Sequence, residues 1–459
     1  MLNLQDDVYD SNIRDFGLRL RSRQITSEAV TVDFLGRISV LDPRLSAFTQ
    51  IIAEQALSTA RSMDRLLQAG VDLGPLMGVP IAIKDLFSAV GMRTTAGSNL
   101  DVSHVVEPEG SFVTRLKRAG CVLLGKTRTT EFALGGINLI HSMPWNPWDA
   151  KVARTPGGSS HGSAVATSAR LCAFSVGSDS GGSVRLPAAL CGVFGYKSSP
   201  GMWPVDGIFP LSTTMDSIGI FTASAQDAAV VFAALSGQPQ PQPRLLRGLR
   251  LGKPTNHFYE DLDSDVRRCM DQALAGLERE GVELVPIEVP EVSEIDTVFA
   301  RMVPAELLAT LGRECFLSGE GVIDPVAWSR AVEGLELPAL EYIRLYRRHH
   351  ELCRIARERM RGLDGWVTPT TPGIPVPISS CNKVDTAAAW NKRATSLTRP
   401  GNLFGQCGVS LPIHMFGSDL PVGLQIMCSS KNDALLLSIA LGIEQAFGVA
   451  SKPDLSGFI

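Results

Sequence analysis

Three serines lie close together in one glycine-rich stretch of the chain. The segment VGSDSGGSVRLPAAL, residues 176–190, contains Ser178, Ser180 and Ser183. A second segment that is rich in glycine and serine, TPGGSSHGSA, residues 155–164, precedes it. Dense glycine leaves backbone N–H groups free to point at a ligand, which suits an oxyanion hole as well as a phosphate cradle. The serines therefore fit nucleophilic chemistry, provided that a base lies near them.

The candidate base is Lys84, which interrupts the apolar run GVPIAIKDLF, residues 78–87. A lysine is not expected there unless it is paired or functional. Burial disfavours the ammonium form and lowers the lysine pKa, so a neutral amine could accept a proton near neutral pH. A strand-end lysine that reaches water is the alternative explanation, and for an isolated lysine it is the stronger one.

Four short strings match the motifs of other proteins, and their contexts disfavour each match. GCVLLGKT fits the P-loop pattern, but a helix precedes Gly120 and the variable positions form an apolar strand. GSSHG would make Ser160 a nucleophile on an elbow, yet no buried strand comes before it. SDSGG nominates Ser180 as in chymotrypsin-like proteases, whose fold is all-β. SCNK, residues 380–383, matches S-x-x-K without its companion motifs.

Predicted strands and helices alternate around these segments. VPIAIKD, CVLLGKT and CAFSV predict strands, whereas SFVTRLKRAG, SHGSAVATSARL and AQDAAVVFAALSG predict helices. Farther on, DVRRCMDQALAGLEREGVELVPIEV predicts a helix and then a strand. GWVTPTTP, GVSLPIHMF and VGLQIM predict strands, and DALLLSIALGIEQAFG predicts a final helix. Residues 8–70 predict helices, with Thr26 capping one of them. This alternation indicates a sheet with helices on both faces.

The composition indicates an ordinary soluble protein. The 459 residues are 44% hydrophobic and 20% charged with a net charge of -4, which gives no basic surplus for binding nucleic acid. The nine cysteines are scattered without a C-x-x-C, so we expect reduced thiols rather than disulfides or zinc. The acidic start MLNLQDDVYD does not resemble a signal peptide, and no apolar run is long enough to span a membrane. We therefore predict a cytoplasmic protein without membrane or nucleic-acid partners.

The order of these motifs resembles the amidase signature family. A strand lysine, a GGSS loop and a GGS-[hydrophobic]-R loop occur in the family's order, with 75 residues from Lys84 to Ser159 and 24 from Ser159 to Ser183. The similar strings extend over most of the chain and include TTAGS, EFALGG, NPW, CGVFGYKSS, PLSTTMDSIG and LPVGLQIM. Because these motifs occur together and in this order, a functional Lys84 becomes the favoured interpretation over a solvated one.

The resemblance implies a role for each of these residues. It makes Ser183 the nucleophile, Ser159 a bridging serine that follows a cis peptide bond, and Lys84 the base. It also implies an oxyanion hole made of the backbone N–H groups of Ser180, Gly181, Gly182 and Ser183.

Four neighbouring residues have roles outside the reaction in this interpretation. We expect Ser178 to be structural, Asp179 to orient the loop, and Arg185 to anchor the loop through a carboxylate. His161 stands where many relatives have glycine; a surface position at a helix start explains it as well as a second base would.

The fold implied is a single large α/β/α domain around a central twisted mixed sheet. We expect residues 1–70 to form a helical scaffold segment and residues 71–237 the core with the catalytic residues. Residues 238–362, which begin with the linker-like QPQPQPR, should form a variable, mostly helical, substrate-side region. Residues 363–459 should complete the sheet.

The resemblance implies an amidase that hydrolyses the C–N bond of carboxamides through an acyl-enzyme. The aromatic segments 137–148 and 201–212 favour an uncharged substrate, such as an aryl amide or anilide, if they frame the pocket. A carbamate hydrolase with the same triad, the glutaminase subunit of a tRNA-dependent amidotransferase, and a catalytically inactive scaffold are the alternatives. No metal or organic cofactor is expected, and the protein should be a monomer or a homodimer.

Overall fold

Eleven strands form one sheet in the computed structural model, which describes residues 12–106 and 108–459. The strands are β1 (Phe48–Ile51), β2 (Pro80–Lys84), β3 (Val122–Thr127), β4 (Phe174–Ser178), β5 (Phe194–Lys197), β6 (Ile218–Thr222), β7 (Arg250–Pro254), β8 (Glu283–Ile287), β9 (Gly365–Pro369), β10 (Cys407–Pro412) and β11 (Gly423–Cys428). The acidic start of the chain, on which the signal-peptide prediction rests, lies outside the described residues.

The sheet is mixed, and its order is β1-β3-β2-β4-β6-β5-β10-β11-β9-β7-β8. Strand β2 runs parallel to both β3 and β4, and β7 runs parallel to β8 and β9. The remaining neighbours are antiparallel. Strands β2, β3 and β4 are buried along their whole length, which is why β2 and β3 begin as apolar runs rather than alternating patterns.

Helices surround the sheet. They are α1 (Ile13–Arg21), α2 (Ser27–Leu45), α3 (Ala53–Gln68), α4 (Ser111–Arg118), α5 (His161–Ser168), α6 (Arg185–Cys191), α7 (Ala225–Ser236), α8 (Ser264–Arg279), α9 (Ile295–Leu311), α10 (Arg313–Ser318), α11 (Pro325–Ala331), α12 (Ala339–Arg359), α13 (Val384–Ala394), α14 (Arg399–Leu403) and α15 (Asp433–Phe447). The predicted α/β class with a large mixed sheet flanked by helices is confirmed. No described helix is both long and apolar enough to cross a bilayer.

Local sequence signals account for many of the element boundaries. The Thr26 side chain accepts a hydrogen bond from the Ala29 N–H at the start of α2, as predicted. The P-loop look-alike is a buried strand, β3, and Lys126 within it contacts Asp85 at 3.2 Å. The Pro/Gln segment 238–244 contains neither helix nor strand. The all-helical prediction for residues 8–70 is wrong at β1, which pairs with β3 at the sheet edge, and residues 8–11 lie outside the described chain.

The topology brings the ends of two central strands together. Lys84 is the last residue of β2, and Ser178 is the last residue of β4. These strands are parallel neighbours, with Ile83 opposite Val176. Their carboxyl ends therefore meet at one edge of the sheet, which is the usual place for a site in such folds.

Candidate active site

The side chain of Lys84 is fully buried at this edge of the sheet. Its Nζ donates one hydrogen bond to Ser159 Oγ at 2.7 Å and a second to Ser178 Oγ at 2.9 Å. Burial lowers the pKa of Lys84 from 10.5 to about 7, while the negative charges of Asp216 and Asp179 act in the opposite direction. The lysine therefore exchanges its proton near neutral pH, and the solvated strand-end alternative is wrong.

Ser178, which was expected to be structural, contacts the candidate base directly. It accepts a hydrogen bond from Lys84. The contact arises because β2 and β4, which are parallel neighbours, end at these two residues. Local motif matching missed it because the two positions lie far apart along the chain.

Ser159 reaches Lys84 from the loop that precedes α5. The peptide bond between Gly158 and Ser159 is cis, as the resemblance implied. The Ser159 side chain is buried, and its carbonyl accepts a hydrogen bond from the Thr130 N–H at 3.2 Å. The next residue, Ser160, donates its N–H to the carbonyl of Ser183 at 3.3 Å. The two glycine-rich loops are therefore in direct contact.

A buried ion pair anchors the loop that carries Ser183. Both Nε and Nη2 of Arg185 contact the carboxylate of Asp179, at 3.1 Å and 3.0 Å, and neither side chain has exposed surface. Burial alone would raise the pKa of Asp179, but the charge of Arg185 and its hydrogen bonds hold that pKa well below its usual value. Arg185 also binds Gln425 on β11 and Asn402 on α14. These contacts fit the anchoring roles expected for Asp179 and Arg185.

The Asp179 carboxylate also accepts a hydrogen bond from one of the backbone N–H groups that were expected to bind the oxyanion. The N–H of Gly182 donates to Asp179 Oδ1 at 2.8 Å, so it is engaged within the loop and differs from the expectation. Ser180 uses its hydroxyl to donate to Asp216. The N–H groups of Ser180, Gly181 and Ser183 remain the candidates for binding an oxyanion.

His161 lies in the interior, which corrects the expectation of a surface position. It begins α5, every residue of which is buried, and only 2% of its own surface is exposed. Burial, together with the charges of Lys84 and Arg128, lowers the pKa of His161 to about 3. The imidazole is therefore neutral at physiological pH.

The sequence as a whole matches a known family. A family model described as Amidase matches residues 29–437. The chain belongs to the amidase family. The 2-amino-5-chloromuconic acid deaminase of Comamonas testosteroni is 35% identical to this amidase, over 97% of this chain and 98% of that protein. One subunit of the glutamyl-tRNA(Gln) amidotransferase of Halorhodospira halophila (strain DSM 244 / SL1) is 32% identical, over 95% of this chain and 97% of that protein. A solved structure described as an amidase superposes with a TM-score of 0.86 and 27% identity, covering 95% of this chain and all of that one.

This amidase, a hydrolase of carbon–nitrogen bonds, has a pocket beside Ser183. Ser180 and Gly181 form one wall, and residues 133–135 form another. Helix α9 contributes Phe299 and Val303. The space between the lining atoms, including the part open to solvent, is about 390 Å³, near the lower end of the range for ligand pockets. The pocket therefore favours a small substrate.

The aromatic rings of the two segments expected to frame this pocket do not line it, although Leu211 of segment 201–212 does. Trp145 packs edge-on against Phe458, and Trp203 packs against Phe112 in the core. The aromatic ring at the pocket is that of Phe299, which the sequence analysis did not single out. Those segments therefore supply one apolar residue to the pocket and none of its aromatic surface.

Proposed function

We propose that this amidase hydrolyses the C–N bond of small carboxamides with Ser183 as nucleophile, Ser159 as proton relay and Lys84 as base. The observation that carries the proposal is the 2.7 Å hydrogen bond from Lys84 Nζ to Ser159 Oγ in a fully buried environment. An amine with a pKa of about 7 is about half neutral near that pH, so it can accept a proton. Ser159 then suits the position between base and nucleophile.

The acylation step moves one proton in a closed relay. Ser183 Oγ attacks the carbonyl carbon and gives its proton to Ser159 Oγ, while Ser159 gives its own proton to Lys84 Nζ. The carbonyl oxygen becomes an oxyanion. When the tetrahedral intermediate collapses, the C–N bond breaks and the relay returns the proton to the leaving nitrogen. Water then gives a proton to the same relay and attacks the acyl ester on Ser183. When the acyl C–O bond breaks, the relay returns that proton to Ser183 Oγ and the acid is released.

The oxyanion is assigned in this proposal to the free backbone donors of the loop. Ser180, Gly181 and Ser183 each retain an N–H that can point to the developing charge, and each such donor contributes about 3 kcal/mol to the transition state. The buried Arg185–Asp179 pair supports this assignment because it fixes the loop before substrate arrives.

Two other roles use the same triad chemistry. A carbamate presents a similar carbonyl beside nitrogen, and its hydrolysis needs no change in the mechanism. A glutaminase role is favoured by the relative that belongs to a glutamyl-tRNA(Gln) amidotransferase. Residues 127–134, TRTTEFAL, disfavour that role because they lack the Asn-Met-Asp that we associate with such subunits before EF. Ammonia release from glutamine only after partner subunits are added would favour the glutaminase role.

The experiment is a substrate screen combined with removal of the nucleophile. Purified wild-type chain is tested on small amides, anilides, carbamates and glutamine, with products read by mass spectrometry. Ser183→Ala should lower turnover by several powers of ten, and a fluorophosphonate probe should label Ser183 in the wild type alone. The exposed Ser22 provides a matched Ser→Ala control that should keep full activity. Wild-type-like turnover in Ser183→Ala would contradict the proposal.

A further inference from the structure

Two arginines from distant parts of the chain line the pocket at Ser183. Arg330 lies near the end of α11, and Arg399 is the first residue of α14. The Arg330 guanidinium lies against Gly135, where a Cβ atom would come within 3.0 Å of Nη1. Arg399 faces the ring of Phe299, with its guanidinium carbon 5.4 Å from the ring centre. The pocket therefore carries two positive charges next to the nucleophile.

These charges are weakly neutralised by the protein itself. Within the described residues, neither guanidinium makes a side-chain hydrogen bond. The carboxylate nearest to Arg399 is Asp296 at 4.0 Å, and that exposed carboxylate also binds Lys392 at 2.9 Å. Glu333 is the acidic residue whose charge acts on Arg330. Such an arrangement is unfavourable unless a bound anion completes it.

The pKa values of the two arginines are consistent with two positive charges that the protein neutralises only weakly. Burial lowers the pKa of Arg399 to about 9, and the like charge of Arg330 adds to that effect. Burial lowers the pKa of Arg330 to about 10. Both side chains therefore remain cationic at neutral pH, close together and short of counter-charge.

Asn391 adds a neutral donor to the same wall. It is 98% buried, and its Oδ1 accepts the N–H of Gly136 at 2.7 Å. Its Nδ2 has no hydrogen-bond partner among the described residues, and this atom lies beside Arg330 at Gly135. An unpaired buried amide has a free-energy cost unless a ligand accepts its hydrogen bond.

We propose that Arg330, Arg399 and Asn391 form a carboxylate subsite, so that the substrate of this amidase is a small amide that also carries a carboxylate. The inference rests on the proposed function and names its substrate class. The carboxylate binds the two guanidinium groups, and the amide carbonyl of the same molecule lies at Ser183. An arginine pair is well matched to the two oxygens of a carboxylate. This substrate replaces the uncharged amide that the sequence favoured.

The pocket also discriminates against glutamine. Glutamine has an α-ammonium group beside its carboxylate, and an ammonium needs an acidic partner. Within the described chain, the residues that line the pocket include no aspartate or glutamate. A simple amide acid, such as succinamate, binds the two arginines without adding a third positive charge to the pocket.

The test compares acids with their neutral counterparts. Ammonia release is measured for succinamate and fumaramate against succinamide and fumaramide, with glutamine as a further arm. The wild type should prefer the acids by about tenfold or more in kcat/KM. Arg399→Gln and Arg330→Gln should each lower kcat/KM for the acids by about 10- to 100-fold more than for the diamides. Turnover of the diamides also shows that the variants are folded.

The matched control is Arg301→Gln, which removes an exposed arginine on α9 that binds Glu341 outside the pocket. It should leave the acid preference intact. Equal use of acids and diamides by the wild type, a preference for glutamine, or an acid preference that survives both pocket variants would overturn the inference. If no amide is turned over, the proposed function fails separately. Calorimetric titration with succinate then decides: binding that is lost in Arg399→Gln but kept in Arg301→Gln supports the subsite, and any other result rejects it.

Discussion

Replacing Lys84 with methionine should stabilise the fold near neutral pH while removing the proposed base. The lysine pKa falls from 10.5 in the open chain to about 7 in the folded protein. At about 1.4 kcal/mol for each pH unit, the cost of burying this amine is about 5 kcal/mol below pH 7 and about 4 kcal/mol at pH 7. Methionine fills a similar volume and avoids that cost. The loss of the hydrogen bonds to Ser159 and Ser178 reduces this gain in stability by about 1 kcal/mol each.

The sign of the pH dependence follows from proton counting. Between pH 7 and 10.5 the unfolded wild type binds a proton that the folded wild type has lost, so wild-type stability rises with pH in this window. The advantage of Lys84→Met should therefore be about 2 to 3 kcal/mol at pH 6 to 7, fall by about 1.4 kcal/mol for each pH unit, and reverse before pH 10.

Urea unfolding followed by tryptophan fluorescence from pH 6 to 10 measures this difference. Lys151→Met, which makes the same change at an exposed position, is the control. A Lys84→Met protein that is less stable than the wild type by a constant amount at every pH would show that the amine is not desolvated. If turnover is lost without this stability pattern, the pKa of Lys84 is not lowered by burial. Lys84 would then be protonated at neutral pH and could not act as the base.

Three further predictions concern the same edge of the sheet. Wild-type kcat/KM should rise with pH to a plateau with a midpoint near 7, because only neutral Lys84 accepts a proton; a profile flat from pH 5 to 9 would contradict this. Ser178→Ala should lower kcat about tenfold with KM little changed, and should move the midpoint to lower pH because the ammonium loses an acceptor; an unchanged kcat and midpoint would make Ser178 structural only. Arg185→Met should lower the free energy of unfolding by about 3 to 5 kcal/mol, since Asp179 is left buried and unpaired; a loss under 1 kcal/mol in urea titration would refute the anchoring role.

The sequence was most informative where the chemistry resides in contiguous strings. Lys84 is conspicuous because a cation in a buried strand has a large free-energy cost, and Ser159 and Ser183 lie in loops whose glycine content is itself unusual. The strands β2, β3 and β4 were predictable because each is buried throughout and flanked by turn residues. Their contact with one another follows from the alternation of strands and helices.

The substrate side was not predictable in the same way. Arg330 and Arg399 come from short helices far from Ser183 in the chain, and no local pattern separates an arginine that lines a pocket from one that is solvated. His161 was misplaced because its helix, α5, is enclosed on every side, whereas a helix start usually reaches water. The strand β1 has only four residues between two helices, too few for a periodic signal.

The contacts of Arg185 with Asn402 and Gln425 have a consequence for biosynthesis. The segment bearing Ser183, the proposed nucleophile, emerges from the ribosome more than two hundred residues before Asn402 and Gln425. A nascent or truncated chain that ends before β11 should therefore be inert, however well its first strands associate. Competence for hydrolysis should arise abruptly, on completion of the polypeptide, and separately made halves should gain it only on recombination.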